Sequence, residues 1–229
     1  MNGAAMAAQA AVRKSARTRP ARPLISVVAP CRNEADAIAP FYAALDAALK
    51  SCDADAEIIF IDDGSTDDTR DRLAGLAREH DNICVVVFSR NFGKEAALSA
   101  GLDHAKGDAV IVIDVDLQDP PELIVEFLAK WRDGYDVVYG MRADRTTDTF
   151  AKRLTADGFY RLFNIISKVK LPENTGDFRL MDRRVVAAIR GLPERSRFMK
   201  GLFAWAGYPS VGVPYASRIV AMSFCEPRS

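Results

Sequence analysis

Glycine-rich phosphate cradles are missing from this chain. No Gly-x-Gly-x-x-Gly follows the first strand-like run and no Gly-x-x-x-x-Gly-Lys-Ser/Thr occurs, which removes the dinucleotide and P-loop ways of holding phosphate. Cysteine and histidine are sparse. Cys31, Cys52, Cys84 and Cys225 stand far apart without a Cys-x-x-Cys, and only His80 and His104 could complete a metal set. Neither zinc nor a disulfide framework is expected, and a reducing cytosolic face fits. Cys31 and Cys84 adjoin apolar strand patterns, where reduced cysteine acts as a small hydrophobe; the two histidines are assigned no chemistry. No run of about 18 apolar residues exists, so no stretch reads as a membrane-spanning helix. Net charge of one sign is absent as well, Lys+Arg 31 balancing Asp+Glu 31, and nucleic acid is not expected as a partner. Acids are absent from residues 1 to 23, which contain Arg13, Lys14, Arg17, Arg19 and Arg22. This Ala-rich segment resembles neither a signal peptide nor a span and reads as a disordered basic arm, open to anionic lipid or to no partner at all.

What is present is a core and an acidic strand end. The chain of 229 residues with 49% hydrophobic content can bury one full domain. Val110-Ile111-Val112-Ile113 is a continuous β-branched run, the mark of a strand buried on both faces. Asp114, Asp116, Gln118 and Asp119 follow. If the extended period of two persists, Asp114 and Asp116 share one face, and Pro120-Pro121 stop the strand and preset the next helix. Hard oxygen donors so placed suit Mg²⁺ or Mn²⁺, which keep positions for water and phosphate oxygens.

Strands and helices alternate along the chain. Leu24 to Ala29 is a strand, and Ile38, Phe41, Leu45 and Leu49 give helical spacing over about residues 34 to 50. Glu57 to Ile61 is a second strand, followed by a polar loop in which Ser65 and Asp68 form a capping box for a helix to about Glu79. Ile83 to Phe88 precedes a loop and a helix from Lys94 to about Ala105. The acidic strand leads into a helix to Trp131, and Val137-Val138-Tyr139 makes a fifth strand. Repeated βα units imply an α/β fold with a mainly parallel sheet and helices on both faces. Ligands bind such sheets beyond the carboxyl ends of the strands. The loops at 30 to 34, 62 to 66, 89 to 94 and 114 to 119 all fall on that edge. Asp62 and Asp63 suit hydrogen bonds from a base imide and ribose hydroxyls. A metal near Asp114 and Asp116 would neutralise a diphosphate, so a nucleotide carrying a group to be displaced is the economical ligand.

Five segments in order carry a resemblance: Val27 to Glu34, Ile61 to Asp67, Ser89 to Lys94, Asp114 to Pro121 and Thr175 to Met181. Together they resemble family 2 glycosyltransferases, and more closely the polyprenyl-phosphate hexosyltransferases, the bactoprenol glucosyltransferases and dolichyl-phosphate mannosyltransferases. The likeness covers about residues 24 to 215. It implies a GT-A-like fold and an inverting transfer of a hexose, glucose foremost, from a UDP-sugar to undecaprenyl phosphate at the cytoplasmic membrane face. By resemblance, Pro30, Glu34 and Asp62 line the base and ribose pocket and Lys94 approaches the donor phosphates. Asp114 contacts nucleotide or sugar, and Asp116 and Gln118 face the divalent metal. Arg142 and Arg153 are similar to residues that receive the lipid phosphate, and Asp177 matches the position of a catalytic base. Cys31 replaces the aromatic residue usual after that proline.

Asp177 needs a separate reading, because a phosphate monoester with its second pKa near 6 is already largely the nucleophile at neutral pH. Asp177 is therefore expected to orient the acceptor through Arg179 or to disfavour the wrong approach, with deprotonation secondary. Residues 148 to 170 and 194 to 206 are basic, aromatic-rich and amphipathic, which suits a lipid headgroup layer and a peripheral position on the inner face of the plasma membrane. Relatives of this type usually continue into paired spanning helices, whereas residues 217 to 229 read as a divergent or truncated end. The domain expected is 24 to 216. A homo-oligomer, a polysaccharide or protein acceptor, and a non-catalytic nucleotide-sugar binding module stay open; a nucleotidyltransferase would carry a glycine- and basic-rich signature near the first strand, and none is found.

Overall fold

A computed structural model describes residues 14–15, 17–142, 175–191 and 207–216. The chain runs β1 (Leu24–Cys31), α1 (Ala35–Lys50), β2 (Asp55–Asp62), α2 (Thr69–Glu79), β3 (Ile83–Val87), α3 (Lys94–His104), β4 (Ala109–Val112), α4 (Leu123–Arg132) and β5 (Val137–Arg142), then β6 (Thr175–Asp182), α5 (Arg183–Arg190) and β7 (Ser210–Tyr215). The strands form one sheet in the order β3-β2-β1-β4-β6-β5-β7. β1, β2, β3 and β4 are mutually parallel. β6 runs antiparallel to both β4 and β5, and β7 is parallel to β5, so the sheet is mostly parallel with one reversed strand.

The period of two along β1 sorts its residues between the two layers. Val27, Ala29 and Cys31 pack with Ile38, Phe41 and Leu45 of α1, Leu73 of α2 and Phe127 and Trp131 of α4. Val28 faces the other way, onto Leu98 and Leu102 of α3 and Val185 and Ile189 of α5. Both faces of β1 are therefore covered, which is why its sequence is apolar without alternation. Phe41, Phe60, Phe127, Phe178 and Trp131 are among the largest wholly buried side chains, each worth roughly 1.5–3 kcal/mol of transfer free energy.

Three local expectations change. The Ser65–Asp68 capping box does not form: α2 starts three residues later than such a box requires, with Asp68 at its N-cap and no side-chain cap bond. Ser65 Oγ instead accepts from Asn33 N, and Asp67 accepts from Ala35 N and Thr69 N, so these side chains stitch the loops after β1 and β2 together. Cys84 is exposed rather than buried, because β3 is the sheet edge. The basic arm expected over residues 1 to 23 is docked where it is described. Arg19 lies almost wholly buried between Asp136 and Asp182, with its guanidinium 4.7 Å from the Trp131 ring centroid. Residues 1–13 and 16 lie outside the described set, as do the amphipathic segments at 148–170 and 194–206. Among the described residues no helix is long and apolar enough to cross a membrane.

Candidate active site

The carboxyl ends of β1, β2 and β4 and the start of α3 enclose an open cleft of about 430 Å³ lined by Pro30, Cys31, Arg32, Glu34, Asp63, Asn91, Gly93, Lys94, Ala97, Asp114, Val115 and Asp116. β4 ends at Val112, so the extended period does not carry through to the acids. Ile113 still donates to Val28 O at 3.1 Å, after which the chain turns and Leu117 takes a left-handed φ of 58°. A left-handed branched residue is strained by about 1–3 kcal/mol, a pattern concentrated at functional sites. Asp114 and Asp116 both reach the cleft all the same.

Lys94, the first residue of α3, links two strands across this edge. Its Nζ is 2.7 Å from Asp114 Oδ2 and 2.7 Å from Asp177 Oδ2. Burial lowers the ammonium's proton affinity, but the two carboxylates outweigh it and the pKa is raised. Burial also raises Asp114, against the pull of Lys94. Glu34 is raised by burial and then by the charges of Asp116, Asp67 and Asp114. Carboxylates that crowd one another in this way favour a bound cation. Among the described residues no three Asp, Glu, His or Cys side chains converge as a ready-made metal cage. One or two carboxylates completed by water and phosphate oxygens is the coordination that Mg²⁺ accepts, so the residues present fit such an ion. Gln118 is exposed and donates its backbone N–H to Asp116 Oδ1 at 3.0 Å.

Asp62 does not line the cleft. It is fully buried and accepts from Ser65 N at 2.9 Å, with Arg70 Nε at 3.4 Å. Asp63 is at the cleft wall, but its two oxygens accept from Phe92 N at 2.7 Å and Gly93 N at 2.9 Å. Both acids thus shape the loop that presents Lys94. Gly64, at φ 67°, lets that loop come close: a Cβ there would stand 2.4 Å from Arg90 C. Cys31 lines the cleft as an inert thiol, pushed up to about 12 by burial and then by Asp62.

On the far side of β4, the start of β6 supplies Asp177. Arg179 is buried and donates to the backbone oxygens of Asp177 and Gly176, at 3.2 and 2.7 Å; burial brings its pKa down to about 10. It holds the turn that carries Asp177 and does not itself extend into the cleft, so the expected route from Asp177 to an acceptor through Arg179 is replaced by a support role. Arg142, at the end of β5, is half-exposed, and its Nη2 donates to Asp119 at 3.1 Å while its Nε donates to the Tyr215 hydroxyl at 3.2 Å. Tyr215 was not anticipated, and Asp119, expected among the acids at the strand end, serves here as the partner of Arg142. The pairing of β5 with β7 sets Tyr215 beside Arg142, and both reach Asp119 in the loop after β4. Arg153 lies outside the described residues.

The Glycosyl transferase family 2 profile matches residues 26–190, the stretch that contains the cleft. The chain belongs to this family. The glycosyltransferase domain is 53% identical over 184 residues to an uncharacterized glycosyltransferase of Synechocystis sp., covering 80% of this chain and 58% of that one. It is 49% identical over 201 residues to the bactoprenol glucosyl transferase of Shigella phage SfV, covering 87% and 66%. The chain spans about three fifths of the length of these curated relatives. Among solved structures, the glucosyl-3-phosphoglycerate synthase of Mycobacterium tuberculosis in complex with Mn²⁺, UDP and glucosyl-3-phosphoglycerate superposes with a TM-score of 0.55 at 25% identity, covering 86% of this chain and 72% of that one. The GT-A-like architecture expected from the motifs is the one observed.

Proposed function

We propose that this domain transfers a hexose, glucose foremost, from a UDP-sugar to a polyprenyl phosphate, undecaprenyl phosphate in a bacterium, with inversion at the anomeric carbon. The observation that carries the reading is Lys94, joined at 2.7 Å to Asp114 on one side and Asp177 on the other. One cation thereby lies between an acidic nucleotide wall and the residue matching the family's base. The relatives named as bactoprenol glucosyl transferases support glucose and the lipid acceptor.

A phosphate oxygen of the acceptor forms the new bond to the sugar C1, while the bond from C1 to the donor diphosphate breaks and its electron pair leaves with UDP. Lys94 meets the developing charge on the diphosphate, as fixed cations do when they stabilise a leaving group. Mg²⁺ or Mn²⁺ at Asp116, with Gln118 beside it, would supply Lewis acidity there. Pro30, Glu34 and the cleft wall at Asp63 accommodate the nucleoside. Asp177, held by Arg179 from below and by Lys94 from the side, orients the acceptor phosphate, which at neutral pH needs little deprotonation. Arg142 and Arg153 receive that phosphate. The enzyme works peripherally on the inner face of the plasma membrane, against anionic lipid.

Labelled UDP-glucose, Mn²⁺ and a short polyprenyl phosphate provide the test. Labelled glucosyl-phosphoryl-lipid is the expected product; UDP binding without turnover would instead leave a binding module, and transfer only to a glycan or protein would move the acceptor class.

A further inference from the structure

The four strands β4, β6, β5 and β7 lie side by side and bring to one edge, in that order, Asp114, Asp177, Arg142 and Tyr215. Tyr215 is buried there by two fits. Its ring crosses β5 at Gly140, where an added Cβ would stand 2.7 Å from Tyr215 Cε1, and it meets Phe178 edge-on with centroids 6.5 Å apart. The ring cannot swing, so its hydroxyl is fixed. That hydroxyl donates to Asp119 Oδ1 and accepts from Arg142 Nε. Asp119 is 1% exposed and takes Arg142 Nη2 on the same oxygen. Its second oxygen lies 3.9 Å from the Cβ position of Gly176, the residue before Asp177. Arg142 is thus gripped on two of its three nitrogens by buried partners. Its Nη1 has no protein partner among the described residues, and the side chain stays 38% exposed.

We propose that Asp119 and Tyr215 are positioning residues that lock the Arg142 guanidinium with one edge presented beside Asp177, so that a phosphorylated acceptor meets a preset arginine. The inference rests on the reading of Arg142 as a phosphate contact. A planar guanidinium recognises phosphate through paired N–H groups in fixed geometry. Locking the ring of donors removes the rotamer freedom that binding would otherwise have to freeze. Specificity for a phosphate-bearing acceptor then belongs to three side chains, two of which never touch it.

The test uses the full chain with Tyr215→Phe, Arg142→Ala and the double variant. Two quantities are read: the KM for a short polyprenyl phosphate against kcat, and phosphate-dependent binding, scored as polyprenyl phosphate against the matching polyprenol in detergent micelles. Tyr215→Phe should raise the acceptor KM or weaken phosphate-dependent binding about tenfold, the size of a lost hydrogen bond to a charged group, while the donor KM moves less than twofold. In the Arg142→Ala background Tyr215→Phe should add less than twofold, because the two act through one guanidinium. Acceptor affinity unchanged in Tyr215→Phe, or the same tenfold loss with and without Arg142, overturns the lock alone. A wild-type chain that binds polyprenyl phosphate no better than polyprenol overturns the acceptor reading and the lock with it.

Discussion

Substituting Gly64 by alanine should unseat Lys94 without touching it. A side chain at φ 67° costs about 1–2 kcal/mol for left-handed backbone. The added Cβ would stand 2.4 Å from Arg90 C, 2.6 Å from Asn91 N and 2.7 Å from Arg90 Cα. All three are backbone atoms, so no side chain can rotate away and the loop at 89–93 has to shift. That shift pulls Phe92 N and Gly93 N off the Asp63 carboxylate. Losing one such charged hydrogen bond brings the total to about 4 kcal/mol, a large part of a domain stability of roughly 5–15 kcal/mol. Urea unfolding measures it, and a UDP thermal shift run beside it should shrink sharply. Gly75→Ala is the control: inside α2 a Cβ there meets nothing within 4 Å, and the chain should gain roughly 0.5–1 kcal/mol in helix propensity. A Gly64→Ala protein that unfolds within about 1 kcal/mol of wild type, the ordinary size of a substitution, would refute the view that this turn sets the loop.

Further outcomes follow from the same edge and from the opposite one. Lys94→Met should lower kcat/KM for UDP-glucose by about 10²-fold, and turnover within a few-fold of wild type would separate Lys94 from the diphosphate. Glu34 carries a raised pKa, so its ionisation works against folding above that pKa and the penalty is gone once pH falls below the unfolded value of about 4.3. Glu34→Gln should therefore raise stability by roughly 0.5 kcal/mol at pH 7, after solvent screening, and by nothing near pH 4; equal melting shifts at both pH values would contradict this. Arg19→Ala leaves Asp136 and Asp182 with Arg184, itself part-exposed, and should cost about 3 kcal/mol in urea unfolding as a broken buried ion pair. A midpoint unchanged by Arg19→Ala would mean the segment before β1 adds nothing to the fold.

Periodicity made the first five strands and four helices legible because each buries an unbroken or regularly spaced apolar face. Helix α1 shows this best, with Ile38, Phe41 and Leu45 all buried. The reversed strand β6 was not readable as a strand: it interleaves Asp177 and the buried Arg179 with Phe178 and Leu180, and a buried arginine looks like a solvated one in sequence. Burial also redirected Asp62, which chemistry alone assigns to a ligand and the fold assigns to the amide of Ser65. Charge patterning misled at Arg19, since a run without acids says nothing of Asp136 and Asp182 waiting more than a hundred residues away. Lys94 and the acids after β4 were found because loops at the carboxyl ends of parallel strands share one edge.

Because β6 enters the sheet in the opposite sense to its neighbours, Met141 faces Thr175 across the ladder, and the chain leaves and rejoins the sheet at one and the same rim. Whatever sequence occupies positions 143–174 is tethered at both ends beside Asp177 and Arg142. Changes there can therefore alter what stands beside the cleft's rim while the register of the parallel strands β1 to β4 stays as it is.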